Sequence, residues 1–319
     1  MIDITLQNFE QDLLQASVQQ PVLLDIWAPW CGPCKSLGPV LEKLETAYAG
    51  RFQLAKLNSD EQPEIASQLS QAFGVRSIPF CVMFVGGQPV DGFVGAIPEA
   101  QIREFLDKHV PSPDELAAEE DVAEAEALLA EGDTASALDK LAAAVAADPA
   151  NEQARFDLVK ALLEAGQVAA ARSAFEPVAA RAADTITPHA RFAALAIWLA
   201  AAERAPGLDA GALQAAIAAN KRDFEARYAL AQLQLAALRH TEAMDELLEI
   251  IMRDKSWNQE AARKAYVAIL ELLTKPAPKA AVTAGEPKGG ALQLAGQTTV
   301  APSDPLIDQY RRKLSMALF

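Results

Sequence analysis

The sequence predicts an α/β domain followed by an all-α domain built from paired helices. Three observations carry that reading. Short apolar runs alternate with helical periodicities over residues 1–110. From 114 to 273 no strand signal appears, and small residues return at a fixed interval. Composition shifts abruptly at Pro111-Ser112-Pro113 and again across 274–303. At 319 residues the chain is too long for one ordinary domain, and with 51% apolar residues it can bury a sizeable core.

Within the first domain, Val22-Leu23-Leu24-Asp25-Ile26-Trp27 is a continuous apolar run suited to a strand buried on both faces. Cys34 to Tyr48 has helical spacing, with Leu37, Val40, Leu41 and Leu44 on one face. Phe52 to Leu57 reads as a second strand. Pro63 to Phe73 reads as a helix with proline in its first turn. Phe80 to Val85 is a third strand closed by Gly86-Gly87, and Asp91 to Gly95 a fourth. Glu99 to Val110 is a final helix, ended by Pro111-Ser112-Pro113. Helices between strands imply a mixed sheet covered on both faces.

In the second domain Ala, Leu, Glu and Arg dominate, all strong helix formers. Gly132 and Gly166 lie one period apart, as do Ala137 and Ala171, and Leu141 and Phe175. That period, 34 residues, is the one of tetratricopeptide repeats. Gly132-Asp133, Ala137, Leu141, Ala144 and Pro149 resemble the second half of that repeat, and Arg227 to Ile250 matches Arg155 to Val178. The stretch around 188–219 is degenerate. The alternative is an Ala-rich bundle without true repeats. Residues 274–303, rich in Pro, Gly, Ala and Thr, read as a flexible linker. Residues 304–319 read as an amphipathic helix carrying Arg311-Arg312-Lys313 among apolar residues, the pattern of a docking peptide.

A formal charge of −15 argues against nucleic-acid binding, which needs a basic footprint. No stretch reaches the roughly 20 apolar residues of a membrane span. No secretion signal is visible at Met1-Ile2-Asp3-Ile4. The expectation is a cytoplasmic protein with no membrane and no nucleic-acid partner. His109, His189 and His240 form no cluster in the sequence and read as ordinary helix or loop residues, and Trp198 and Trp257 as core.

Two of the three cysteines, Cys31 and Cys34, sit as C-x-x-C, which reads as redox or metal chemistry. The nucleophile in disulfide exchange is the thiolate. Cys31 precedes the helix that starts near Cys34, where the helix dipole favours negative charge and should lower its pKa toward roughly 7. Cys34, one turn on, is placed to attack a mixed disulfide formed by Cys31. Pro33 leads into the helix and Gly32 keeps the approach open. The metal alternative is half of a zinc site, which would need two further ligands from Cys81 and the three histidines. No metal and no cofactor are expected.

The segment Leu24-Asp25-Ile26-Trp27-Ala28-Pro29-Trp30-Cys31-Gly32-Pro33-Cys34-Lys35 resembles the active-site segment of the thioredoxin family. Ala55-Lys56-Leu57-Asn58, Val75-Arg76-Ser77-Ile78-Pro79 and Val94-Gly95-Ala96 resemble its third strand, its cis-proline loop and the glycine beside its substrate groove. The resemblance covers about 110 residues. It implies a thioredoxin fold, with Cys31 as nucleophile and Cys34 as resolving thiol. Asp25 would be the buried carboxylate that accepts the Cys34 proton, and Lys56 its charged neighbour. Pro79 should be cis and, with Trp30, Gly32, Pro33, Ile78 and Gly95, line the substrate groove. Phe80 and Cys81 follow Pro79, where the family often has a smaller polar residue first, a departure from its pattern. Cys81 reads as a buried strand cysteine, or, if exposed, as a regulatory thiol.

A thioredoxin domain fused to degenerate tetratricopeptide repeats resembles the chaperedoxin family. That resemblance implies a redox-active holdase that binds unfolded client proteins, guards or reduces their cysteines, and passes them to a GroEL-type chaperonin. Tyr310, Arg311, Arg312 and Leu314 would serve chaperonin docking. Thioredoxin reductase or glutathione would supply electrons. The alternative is a dedicated disulfide reductase whose repeats recruit one folded partner.

Overall fold

The computed structural model describes residues 1–184, 186–187, 189–274 and 304–318. The described residues divide into two units that meet between Ser112 and Pro113. The segment read as a linker lies, apart from Thr274, outside the described residues, as does Phe319.

The first unit is a five-stranded mixed sheet with helices on both faces. Its strands are β1 (Ile2–Asp3), β2 (Val22–Trp27), β3 (Gln53–Asn58), β4 (Phe80–Val85) and β5 (Gln88–Val94), in the spatial order β1-β3-β2-β4-β5. The β1–β3 and β2–β3 pairs are parallel, and β4 runs antiparallel to β2 and β5. A π-helical stretch Phe9–Gln15 runs into α1 (Ala16–Gln19), followed by α2 (Gly32–Ala47), α3 (Pro63–Phe73) and α4 (Glu99–Leu106). β2 is central, so it is buried on both sides, as its unbroken apolar run requires.

Alternation along the strands sorts the side chains onto two faces. Val22, Leu24 and Ile26 join Phe9, Leu13, Ile65 and Leu69 on one side. Leu23, Leu54, Cys81 and Met83 join Leu37, Leu41, Leu44 and Ile102 on the other, under α2 and α4. Asp25 follows Leu23 by two residues and therefore falls on the α2 face.

Several expected boundaries move. The α2 helix begins at Gly32 rather than near Cys34, because Cys31 itself caps it. The fourth predicted strand begins at Gln88, not Asp91. Gly86 and Gly87 both have positive φ (62° and 79°), which makes a two-residue hairpin turn and lets pairing resume at once. Pro89 lies within β5, an edge strand, where a missing N–H is tolerated. The last helix ends at Leu106, and the chain continues in tighter turns to a buried Val110. β1 is too short to show a period in the sequence, and the helical turns over residues 9–19 lie outside the expected elements.

The second unit is all helix: α5 (Pro113–Glu131), α6 (Thr134–Ala147), α7 (Glu152–Glu164), α8 (Val168–Phe175), α9 (Ala179–Ala182), α10 (Ala190–Arg204), α11 (Ala210–Ala219), α12 (Phe224–Ala236), α13 (His240–Arg253), α14 (Trp257–Leu273) and α15 (Pro305–Leu318). Short 3₁₀ turns at Glu176–Val178 and Ala205–Gly207 link α8 to α9 and follow α10. Asp133, Asn151, His189, Asp209 and Asp223 each accept a hydrogen bond from the backbone amide three residues on, closing the starts of α6, α7, α10, α11 and α12.

Repetition is visible in the hydrogen bonds. Arg155 on α7 donates to the carbonyls of Pro149 and Ala174, 3.2 Å each. Its counterpart Arg227 on α12 donates to the Lys221 carbonyl at 3.1 Å and to Glu246. Both arginines are 7% exposed. Each ties its helix to the preceding turn and to the partner helix at matching positions, so the two helix pairs are copies in geometry as well as in sequence. Between the paired helices the chain needs a left-handed residue: Gly132 (φ 88°) and Gly166 (φ 71°) supply it twice, and the third occurrence is Leu238 (φ 60°). A left-handed conformation costs a residue with a Cβ roughly 1–2 kcal/mol. Leu238→Gly should therefore stabilise the helical unit by about 1 kcal/mol, read as a higher unfolding midpoint. In the degenerate stretch, α10 buries Phe192, Leu195, Trp198 and Leu199, while α11 buries nothing.

α15 packs back onto α13 and α14 through Ile307, Tyr310 and Leu314. Tyr266 Oη donates to the Tyr310 carbonyl at 2.8 Å, and Lys313 reaches Asp245 at 3.2 Å. Tyr310→Ala removes a buried aromatic ring and leaves a cavity, at a cost of about 3–5 kcal/mol. Thermal unfolding of the helical unit should shift down accordingly. Among the described residues no helix is long and apolar enough to cross a membrane.

Candidate active site

The site forms where β2 ends and α2 begins. Cys31 has extended backbone angles (φ −78°, ψ 105°), and its Sγ accepts a hydrogen bond from the Cys34 amide at 3.2 Å. The sulfur thus takes the N-cap place that an Asp or Ser oxygen usually fills. When reduced, Cys31 would hold a thiolate against the positive end of a 16-residue helix. Cys31 and Cys34 are joined in a disulfide, and both are 4% exposed. Gly32 and Pro33 form the first turn, with proline in a position that needs no amide donor.

Around the disulfide, Ala28, Trp27 and Ile78 provide an apolar seat. The Ile78–Pro79 bond is cis. The Pro79 carbonyl accepts from the Gly95 amide at 2.8 Å, which joins the proline loop to the end of β5. Trp30 is 70% exposed, and its indole N–H donates to the Asp60 carboxylate at 3.0 and 3.2 Å. The groove residues expected from sequence, Trp30, Gly32, Pro33, Ile78, Pro79 and Gly95, therefore lie on three segments tied to one another. Asp60, which fixes the indole, was not anticipated; a lone aspartate in a loop carries no pattern.

Beneath the disulfide a cleft of about 200 Å³ is lined by Asp25, Trp27, Cys34, Lys35, Gly38, Pro39 and Lys56. Asp25 is 1% exposed, and burial raises its pKa from 3.8 to about 6, against the opposing pull of the Lys56 ammonium and a hydrogen bond from Cys81. Lys56 sits opposite Asp25 on β3 and bonds Glu42 at 2.7 Å. A carboxyl poised near 6 is ionised at neutral pH yet accepts a proton more readily than a surface aspartate. The Trp27 Nε1 is buried and meets no acceptor among the described residues.

Cys81 is fully buried, directly opposite Asp25 on β4. Burial pushes its thiol pKa well above the ordinary value, and the facing carboxylate pushes the same way. The exposed, regulatory alternative for this cysteine is thereby corrected: its sulfur lies inside the sheet. Among the described residues no three of His, Cys, Asp and Glu come together as a metal donor set. His109 pairs with Asp91, His189 caps α10, and His240 packs its ring against Trp198.

The remaining expected site residues lie in the helical unit. Tyr310 and Leu314 are buried against α13 and α14. Arg311 and Arg312 face outward, bonded to Thr274 and to the Asp308 carbonyl at 3.2 and 3.3 Å.

Residues 1–108 match the family profile described as Thioredoxin. Thioredoxin 1 of Nostoc sp. is 44% identical over 107 residues, which are 34% of this chain and 94% of that protein. The chain belongs to the thioredoxin family. Thioredoxin of Synechocystis sp. is 44% identical over 103 residues, 32% of this chain and 91% of its own length. Thioredoxin 2 of Chlorobaculum tepidum is 44% identical over 108 residues, 34% and 94%. Two profiles described as Tetratricopeptide repeat match residues 128–196 and 201–283. This thioredoxin-family chain therefore carries a C-x-x-C pair suited to thiol–disulfide exchange, together with repeats of a kind used for protein–protein contact.

Proposed function

We propose that this thioredoxin-family chain is a redox-active chaperone of the chaperedoxin type. In this reading the helical repeats hold unfolded client proteins, and the dithiol protects or reduces their cysteines. The observation that carries it is a complete C-x-x-C site on the same chain as a tetratricopeptide-type array.

The chemistry follows from the site. The Cys31 thiolate attacks one sulfur of a client disulfide, forming a Cys31–client bond and releasing the other client sulfur as thiolate. Cys34 then gives its proton to Asp25 and attacks Cys31 Sγ. The mixed disulfide breaks, the second client thiolate leaves, and Cys31–Cys34 closes. Two electrons have passed to the client, and the product is the oxidised state described above. Thioredoxin reductase or glutathione would return them. Lys56 moderates Asp25, and the segments bearing Trp30, Ile78, Pro79 and Gly95 bound the groove that seats the client chain.

Transfer to a GroEL-type chaperonin would engage the outward face of α15, through Arg311 and Arg312. Tyr310 and Leu314 could take part only if α15 leaves α13 and α14. Arg311→Glu with Arg312→Glu, made in a folded chain, should lower chaperonin co-purification at least fivefold; unchanged recovery would remove the tail from that role. The holdase itself is tested with the full chain carrying Cys31→Ser and Cys34→Ser. This variant should still suppress aggregation of unrelated, cysteine-free unfolded proteins at near-stoichiometric ratios. Failure of both variant and wild type would reject the holdase. Reductase activity would then support a dedicated disulfide reductase with repeats that recruit one folded partner.

A further inference from the structure

We propose that Cys81 is a positioning residue of the redox site: its thiol donates a hydrogen bond to the Asp25 carboxylate and so sets the pH range in which Asp25 takes the Cys34 proton. This rests on the reading of Asp25 given under Proposed function.

The geometry comes from the sheet. β2 and β4 are antiparallel neighbours with Asp25 directly opposite Cys81, and strand alternation turns both side chains to the α2 face. Sγ lies 3.7 Å from Asp25 Oδ1, and the two residues are 0% and 1% exposed. The groups facing Asp25 are Cys34 and Lys35 from α2, Lys56 from β3 with Glu42 beyond it, and Cys81 from β4. Of these, Lys56 acts by charge while its ammonium bonds Glu42. Cys81 supplies the side-chain donor in contact with the carboxylate.

The direction of the proton is fixed by charge. A thiolate beside a carboxylate in a dry sheet would place two like charges together, so the proton stays on sulfur and an ionised Asp25 can only accept. A hydrogen bond given to the charged form favours that form. Burial alone would keep Asp25 protonated to higher pH, where it could not accept from Cys34. The Cys81 thiol opposes this from inside the sheet and keeps its own proton throughout the cycle. It takes no part in disulfide exchange.

The test uses the full chain with Cys81→Val, close in size and without a donor, and Cys81→Ser, which keeps one. The Asp25 carboxyl carbon is titrated by NMR, assigned with Asp25→Asn. The pH profile of single-turnover reduction of a peptide disulfide is measured beside it. In Cys81→Val the titration midpoint should rise by about 0.5–1 pH unit, and the acidic limb of the rate profile should move to higher pH with it. On that limb the rate should fall about 3–10-fold, and Cys81→Ser should restore both readouts.

An independent readout needs no change at Cys81. The chain has three cysteines, so once Cys31 and Cys34 are bonded, Cys81 is the sole thiol. Its infrared S–H stretch should move to higher frequency in Asp25→Asn. An unmoved S–H band, or equal midpoints in wild type and Cys81→Val, would overturn the hydrogen bond while leaving Asp25 as acceptor. A midpoint that moves under an unmoved rate profile would instead overturn Asp25 as the proton acceptor, and with it the role assigned to Cys81.

Discussion

Cys34→Ser should halt turnover and leave disulfide-bearing substrates bonded covalently to Cys31. Cys34 sits in the first turn of α2, its amide already on Cys31 Sγ, so its thiol attacks within one molecule. Well-placed intramolecular partners reach effective molarities far above any thiol in solution. With millimolar external thiol as the only remaining resolving agent, release should slow on the order of 10³-fold or more. The serine oxygen cannot take the role, since it is not ionised near neutral pH. Mixed disulfides should appear on non-reducing gels and vanish with reductant, and mass spectrometry should place the linkage on Cys31. Linkage at Cys81 would contradict its burial inside the sheet and defeat the assignment.

Asp25→Asn should slow reduction by about 100-fold or more at neutral pH, because in the proposed mechanism the Cys34 proton loses its acceptor. The same change should make the sheet unit more stable. In the folded chain the Asp25 pKa is about 6, against 3.8 for an ordinary aspartate. Between those values the folded state binds a proton that the unfolded state does not. Stability is therefore unpenalised below about pH 4, falls as pH rises toward 6, and is lower by about 3 kcal/mol above it. Asp25→Asn removes this dependence. The gain at pH 7.5 should reach up to about 3 kcal/mol, less whatever the buried amide costs, and should shrink toward zero near pH 4. Hydrogen exchange of the slowest β2 and β4 amides reads this unit separately from the helices. Equal protection in variant and wild type at pH 7.5 would mean the carboxylate is not held at a cost.

The first unit was largely legible because its chemistry is local in sequence. The C-x-x-C pair, its helix and the strand before it lie within a few turns of one another, and the central strands are unbroken apolar runs. What escaped depends on register. Nothing in Phe80-Cys81-Val82 says that residue 81 faces residue 25; only the pairing of β2 with β4 does. Asp60 was silent for the same reason, since its hydrogen bond to Trp30 spans a loop. In the second unit Gly132 and Gly166 mark the period, yet their third counterpart is invisible in the sequence because Leu238 holds the same left-handed backbone with a different side chain. The terminal helix is amphipathic in sequence, and its apolar stripe packs on the chain's own repeats. An amphipathic stripe states that a surface will be covered and leaves open what covers it.

That last packing has a consequence for how the chain emerges during synthesis. The receiving face on α13 and α14 is complete by residue 273, whereas Ile307, Tyr310 and Leu314 follow only after residues 275–303 have been added. At roughly 5–20 residues per second, that interval lasts about 1.5–6 seconds. Throughout it the growing chain carries an apolar face whose own cover is not yet made. Nascent chains stalled with α14 outside the ribosome and α15 still inside it should therefore expose a hydrophobic surface that chains stalled well beyond α15 do not.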